Sequence, residues 1–101
     1  MDFTYNLNDG VLTLALDGRL DTEASAKFEA ELAEICKTNP HSSMVFDAEK
    51  LQYVASSGLR TILKMVKTEK DFSLENVSDS VYNVFEMTGF SKIIKMTKAL
   101  R

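Results

Sequence analysis

Residues 43–66 read SMVFDAEKLQYVASSGLRTILKMV. Residues 43–47, SMVFD, form a short apolar run bounded by turn signals, which suits a buried strand. Further on, Leu59, Ile62, Leu63 and Val66 recur at the three- and four-residue spacing of an amphipathic helix. Ala48–Val54 mixes charged and apolar residues without a clear period, so a loop is expected there, tethered by Leu51 and Val54. Ser56 or Ser57 is then expected to cap the helix, because a short side-chain oxygen satisfies the free backbone N–H groups of the first turn. A buried strand that passes into an amphipathic helix is half of a parallel crossover unit, and it sets the fold class as α/β.

The flanking sequence extends the pattern in both directions. Upstream, Phe3, Tyr5 and Leu7 alternate with polar residues across a strand at 2–8, Asp9-Gly10 signals a hairpin turn, and 11–17 returns as a strand closed by Gly18. Asp21 or Thr22 caps a first helix that buries Ala24, Phe28, Leu32 and Ile35 and turns Glu23, Glu29, Glu31 and Glu34 to water. Asn39-Pro40 ends that connection. Downstream, 72–77 alternates as a short strand. Ser78 or Asp79 caps a third helix carrying Val81, Val84 and Phe85, and Gly89 is placed to end it. Ile93 and Ile94 begin either a last strand or a last helix. The order β-β-α-β-α-β-α predicts a mixed sheet of four to five strands, parallel except for the opening hairpin. At 101 residues it forms one domain, 1–101.

Composition narrows the function. The chain is 45% apolar and 27% charged, with 12 basic and 15 acidic residues and a net charge of -3, which leaves no electrostatic footprint for nucleic acid. Lys92, Lys95, Lys98 and Arg101 near the end read as a solvated face. The early residues do not form a signal peptide, and no apolar run approaches the roughly 18 residues of a membrane span. A cytoplasmic protein without a membrane partner is expected. The single cysteine, Cys36, fits a reducing compartment and reads as a small apolar helix residue. The only histidine, His41, follows Pro40 and reads as an exposed loop residue. A lone histidine supplies neither a nucleophile–base pair nor a metal cluster. Asp47 and Glu49 carry no weight among 15 acids. No phosphate-binding loop, dinucleotide fingerprint or nucleophile elbow is present. The expectation is a protein that is not an enzyme, with no catalytic residue, no metal ligand and no cofactor.

Binding chemistry concentrates at Ala55-Ser56-Ser57-Gly58. A helix start is a ready anion site, because its unpaired N–H groups and dipole favour negative charge. A phosphoryl group on a serine there is accommodated without unfolding, yet adds roughly -1.5 to -2 charges to the surface. That geometry supports a binding switch that preserves the fold.

Three segments in order give a family likeness. Gly18-Arg19-Leu20-Asp21 resembles a G-x-L-D signature before a first helix. Val45-Phe46-Asp47, Leu51 and Ser56-Ser57-Gly58-Leu59 resemble a strand–loop–helix segment that holds a phosphorylated serine. Val84-Phe85-Glu86-Met87-Thr88-Gly89-Phe90 with Ile93-Ile94 resembles a C-terminal helix and tail. Together they resemble the STAS domain family, most closely the bacterial anti-sigma factor antagonists. The resemblance implies helices mainly on one face of a mixed sheet. It implies a partner that is both anti-sigma factor and serine kinase, a resetting phosphatase, and a monomer or weak dimer. It implies Ser56 as phospho-acceptor, with Ser57 as the alternative, and a partner surface at Asp21, Thr22, Ala55, Ser56, Ser57, Gly58 and Leu59. Ala55 stands where the family usually has an acidic residue, which motivates the alternative of an unphosphorylated interaction scaffold. A carrier of a small apolar ligand or lipid is a third alternative. The stretch from Leu59 to Phe72 is shorter than the family pattern and lacks a glycine, so the exit of the second helix is expected to be unusual.

Overall fold

A computed structural model describes residues 1–99. The strands are β1 (Asp2–Asn8), β2 (Val11–Leu20), β3 (Ser43–Val54), β4 (Phe72–Val77) and β5 (Lys95–Lys98). They form one sheet in the order β1-β2-β3-β4-β5. The pair β1–β2 is the antiparallel hairpin, and every later pair is parallel. The helices are α1 (Thr22–Thr38), α2 (Ser56–Thr68) and α3 (Asp79–Met87), followed by a single 3₁₀ turn at Phe90–Lys92.

Alternation fixes which face the helices cover. Leu12 and Leu14 of β2 lie in register with Met44 and Phe46 of β3, which lie in register with Phe72 and Leu74 of β4; these and Leu16 are all buried. They share one core with Phe28 and Leu32 of α1, Leu59 and Ile62 of α2, and Val81 and Phe85 of α3. Among the described residues no helix packs on the opposite face, with Thr13, Val45 and Ser73, so the helices occupy one face as the resemblance implies. A run of edge-to-face aromatics, Phe3–Phe28–Phe46–Phe72 at 5.0, 5.6 and 4.9 Å between ring centres, crosses the layer between helix and sheet.

The expected loop at 48–54 is strand, and this is a correction with a visible cause. Between Ala15/Asp17 and between Gly18/Arg19 of β2 the register with β3 slips, so that Asp17 faces Lys50 and Arg19 faces Tyr53. Each slip adds one residue to β3. The inward residues therefore become Ala48, Leu51 and Val54, three apart instead of two, and the alternation expected of a strand disappears from the sequence. Gly18 does not close β2 either. It sits within the strand at φ +111°, a backbone region that a side chain rarely enters, and the strand continues to Leu20.

Smaller differences follow at the termini of the other elements. Asp21 caps α1 by accepting from the Ala24 N–H at 2.9 Å, and Ser78 caps α3 through the Val81 N–H, both as expected. Leu59 and Ile62 of the predicted α2 stripe are buried, with Met65 and Thr61 joining them, while Leu63 and Val66 are half-buried. Ile93 and Ile94 belong to neither a strand nor a helix. Ile94 turns into the core, Ile93 stays exposed, and the last strand starts at Lys95. Lys92, Lys95 and Lys98 are exposed, and Lys98 lies over the Tyr82 ring at 4.6 Å; Arg101 lies outside the described residues.

Candidate functional site

Two helix starts sit side by side, and strand register puts them there. Leu20 and Val54, the last residues of β2 and β3, are paired. The chain continues from one into Asp21 and α1, and from the other into Ala55 and α2. The Ala55 N–H donates to the Leu20 carbonyl oxygen at 2.9 Å and joins the two turns. Both helices thus begin at the carboxyl ends of adjacent parallel strands, the edge at which α/β sheets generally bind their ligands. Both dipoles present their positive ends to the same surface.

Neither serine caps α2. Ala55 takes the cap position with extended backbone, and no side chain bonds the first turn. The longer β3 explains the change, because its pairing with β2 holds the chain extended through Val54 and starts the helix immediately after Ala55. Ser56 and Ser57 become the first two helical residues. Ser56 is exposed. The Ser57 Oγ is buried without a hydrogen-bond partner. The first intrahelical bond is Leu59 N–H to Ala55 O at 2.9 Å, so the preceding N–H groups of the turn have no partner within the helix.

Gly58 is set by contact. A Cβ built there would lie 2.9 Å from Leu20 Cγ, 3.0 Å from Leu20 Cδ2 and 3.0 Å from the Leu20 carbonyl oxygen. Only a residue without a side chain lets α2 approach the end of β2 this closely. Gly58 and Leu59 are both buried, so of the seven expected partner residues these two shape the turn from beneath. Asp21, Thr22 and Ser56 are exposed, and Ala55 and Ser57 are half-buried. Sequence reasoning did not single out the cations around them. Arg60, exposed, stands one turn after Ser56 on the same helix face. Arg19 lies over the Tyr53 ring at 4.3 Å. Lys64 bonds Glu29 across the two helices at 2.9 Å. A groove of about 410 Å³ runs between α1 and α2, with Thr22, Ser57, Arg60 and Lys64 among its lining residues. Helical periodicity from Ser56 places Arg60, and that signal was available in the sequence.

At the other end of α2 the expectation of an exposed His41 fails. The His41 side chain is 7% exposed, and its Nε2 lies 2.7 Å from Glu69 Oε1. Cys36 of α1 lies beside them, and burial first, then the Glu69 carboxylate, push its thiol above the usual range. Helix α2 ends at Thr68 with Glu69 extended at φ -91°, so the exit has no left-handed residue, in keeping with the missing glycine.

Comparison with known proteins agrees with the fold. The sequence matches the family described as the STAS domain over residues 3–101. It is 29% identical over 103 residues to BtrV of Bordetella bronchiseptica, a protein named as an anti-sigma factor antagonist, covering 98% of this chain and 88% of that one. An anti-sigma factor antagonist from Mycobacterium paratuberculosis superposes with a TM-score of 0.84 at 18% identity, covering 98% of this chain and 86% of the other. The anti-sigma factor antagonist SpoIIAA, unphosphorylated, superposes with a TM-score of 0.79 at 20% identity over 96% and 89% of the two chains. Its phosphorylated form, a Bacillus cell fate determinant, gives 0.71 at 19% over 96% and 92%. Among the described residues no helix is long and apolar enough to cross a membrane.

Proposed function

The chain belongs to the STAS domain family, and on that footing we propose that it is an anti-sigma factor antagonist whose binding is switched off by phosphorylation of Ser56. The observation that carries the proposal is the contrast between the two serines. Ser56 stands exposed at an uncapped helix start, whereas the Ser57 hydroxyl is turned into the protein. A kinase reaches the first without disturbing the fold.

The partner is an anti-sigma factor that is itself a serine kinase, and it docks on the paired helix starts at Asp21, Thr22, Ala55 and Ser56. Phosphate on Ser56 is held by the unpaired N–H groups of the first turn, by the helix dipole and by Arg60 one turn on. These contacts keep the phosphorylated domain folded. The partner then meets roughly two negative charges where it had met a hydroxyl, and the complex separates. A phosphatase restores the binding form. The domain works as a monomer or weak dimer in the cytoplasm.

The experiment is phosphorylation by an anti-sigma serine kinase from the same genome with ATP, read by intact mass. The parent gains one phosphate and Ser56→Ala gains none. Phosphate on Ser56→Ala equal to the parent's refutes the assignment. The scaffold alternative rests on Ala55 and predicts that Ser56→Asp leaves partner affinity unchanged. A loss of tenfold or more in Ser56→Asp argues against it.

A further inference from the structure

The far end of the α1–α2 pair gathers three metal-ligating side chains from three separate segments. Cys36 comes from the last turn of α1, His41 from the connection to β3, and Glu69 from the C-cap of α2. Their sulfur, nitrogen and carboxylate oxygen atoms all lie within 4.8 Å of one another. The His41 ring is fixed from behind. Its Nδ1 lies 2.7 Å from the Asn39 carbonyl oxygen, which can only accept, so Nδ1 carries a proton. Asn39 is itself anchored to α1, with its backbone N–H and its Nδ2 both donating to the Ile35 carbonyl at 3.0 and 2.9 Å. This leaves Nε2 as the nitrogen turned toward Glu69. A carbonyl behind one nitrogen that orients the other is the usual support of a metal-binding histidine. The site is sheltered but reachable: the Glu69 side chain is 15% exposed and Cys36 is half-buried.

We propose that Cys36, His41 and Glu69 bind one zinc-class divalent ion, with water in the fourth position. One thiolate, one imidazole and one carboxylate suit Zn²⁺, whereas Mg²⁺ and Ca²⁺ take oxygen ligands. Metal–ligand lengths of about 2.0 to 2.3 Å in a tetrahedron put ligand atoms roughly 3.3 to 3.7 Å apart. The 2.7 Å His41–Glu69 contact therefore opens slightly and the thiol moves inward. Side-chain rotation at two helix ends and a connecting loop supplies both motions. In the metal-free protein the His41–Glu69 bond closes the site. The ion takes Cys36 as the thiolate and His41 through an imidazole that keeps its proton on Nδ1, so the thiol proton leaves as the ion enters. The ion ties the end of α1 to the end of α2. It lies about 20 Å from Ser56, since α2 has 13 residues and rises about 1.5 Å per residue. It is thus separate from the turn to which phosphorylation is assigned above.

The test uses the full chain, stripped with a chelator that is then removed. Titration with Co²⁺ is expected to saturate at one equivalent, with a thiolate-to-cobalt charge-transfer band and visible bands of tetrahedral intensity. One equivalent of Zn²⁺ bleaches both and raises the melting temperature, and Mg²⁺ does neither. In competition with a chromophoric chelator, Cys36→Ser, His41→Ala and Glu69→Gln each lose at least tenfold in Zn²⁺ affinity. The proposal is overturned if saturating Co²⁺ gives the parent no thiolate band, or if folded Cys36→Ser binds Zn²⁺ as the parent does. The cluster is then an ion pair beside a buried thiol. The parent's cobalt spectrum decides the matter alone if a variant does not fold.

Discussion

Replacing Gly58 with alanine tests whether a close approach, and not a turn conformation, fixes the glycine in the segment Ser56-Ser57-Gly58-Leu59. Gly58 is helical, so propensity by itself favours alanine by about 1 kcal/mol. Opposing this, the added Cβ would sit 2.9 to 3.0 Å from Leu20 Cγ, Cδ2 and O, roughly half an ångström inside ordinary contact. Leu20 has little room to retreat. Its side chain is fully buried, and its carbonyl also accepts the Ala55 N–H at 2.9 Å. Overpacking at such sites costs about 1–3 kcal/mol. The clash outweighs the propensity gain, and a net loss of about 1–2 kcal/mol is expected, with a fall in Tm of about 4–8 °C for each kcal/mol. Urea unfolding followed by circular dichroism measures it. Leu20→Ala alone costs about 2–5 kcal/mol through its cavity. The double variant should be better than additive by about 1 kcal/mol, because truncation removes two of the three close contacts. A Gly58→Ala protein as stable as the parent, or strict additivity in the double variant, refutes the steric account.

Other expectations are checked by the same unfolding assay. Ser57→Ala removes a buried hydroxyl without a partner and should leave stability unchanged or raise it by up to about 1 kcal/mol; a loss above that range means the hydroxyl is bonded. Ser56→Asp should be neutral or stabilising by about 0.3–1 kcal/mol at the positive end of α2, whereas Ser57→Asp buries a charge and should destabilise. The reverse order would place the exposed serine wrongly. Asp21→Ala should cost about 1 kcal/mol through the lost cap to Ala24. For Cys36, burial and Glu69 raise the folded thiol's pKa above its unfolded value. Its contribution is therefore complete below about pH 8.5, the ordinary thiol value, and is lost as pH rises toward the folded value. With chelator present, stability should fall above that pH more steeply in the parent than in Cys36→Ala, and equal slopes would exclude the effect.

What could be read from the sequence, and what could not, follows one physical line. Elements whose burial kept a single period were legible. Leu12, Leu14 and Leu16 of β2, the buried stripe of α1 and the caps at Asp21 and Ser78 depend only on near neighbours, whereas Tyr5 and Leu7 of β1 are exposed and the expected alternation of β4 breaks at Asn76, which sits at φ +57° while Val77 turns into the core. The second half of β3 was not legible, because its period is set by slips against β2 and a slip belongs to two strands at once. The misplaced cap on α2 is the same error carried forward: once β3 pairs through Val54, Ala55 must be the cap and the serines move into the helix. His41 failed for a related reason, since its partner Glu69 lies 28 residues away and only the packing of α1 beside α2 brings them together.

That one-residue shift also bears on how a charge at this turn can be tolerated. A capping serine has its oxygen committed to the backbone, and modifying it removes the bond that starts the helix. Here the cap is Ala55, whose backbone N–H donates to Leu20 and whose carbonyl accepts from Leu59. The exposed hydroxyl of Ser56 holds nothing in place, so its modification leaves the helix start intact. Beneath it the Ser57 hydroxyl is buried and Gly58 packs closely on Leu20. An acidic residue at position 55 would place a second negative charge beside any phosphate, while alanine leaves the first-turn N–H groups and Arg60 to meet it alone. Under the proposed function, Ala55 therefore removes one possible contact to the partner and one negative charge beside the phosphate of Ser56.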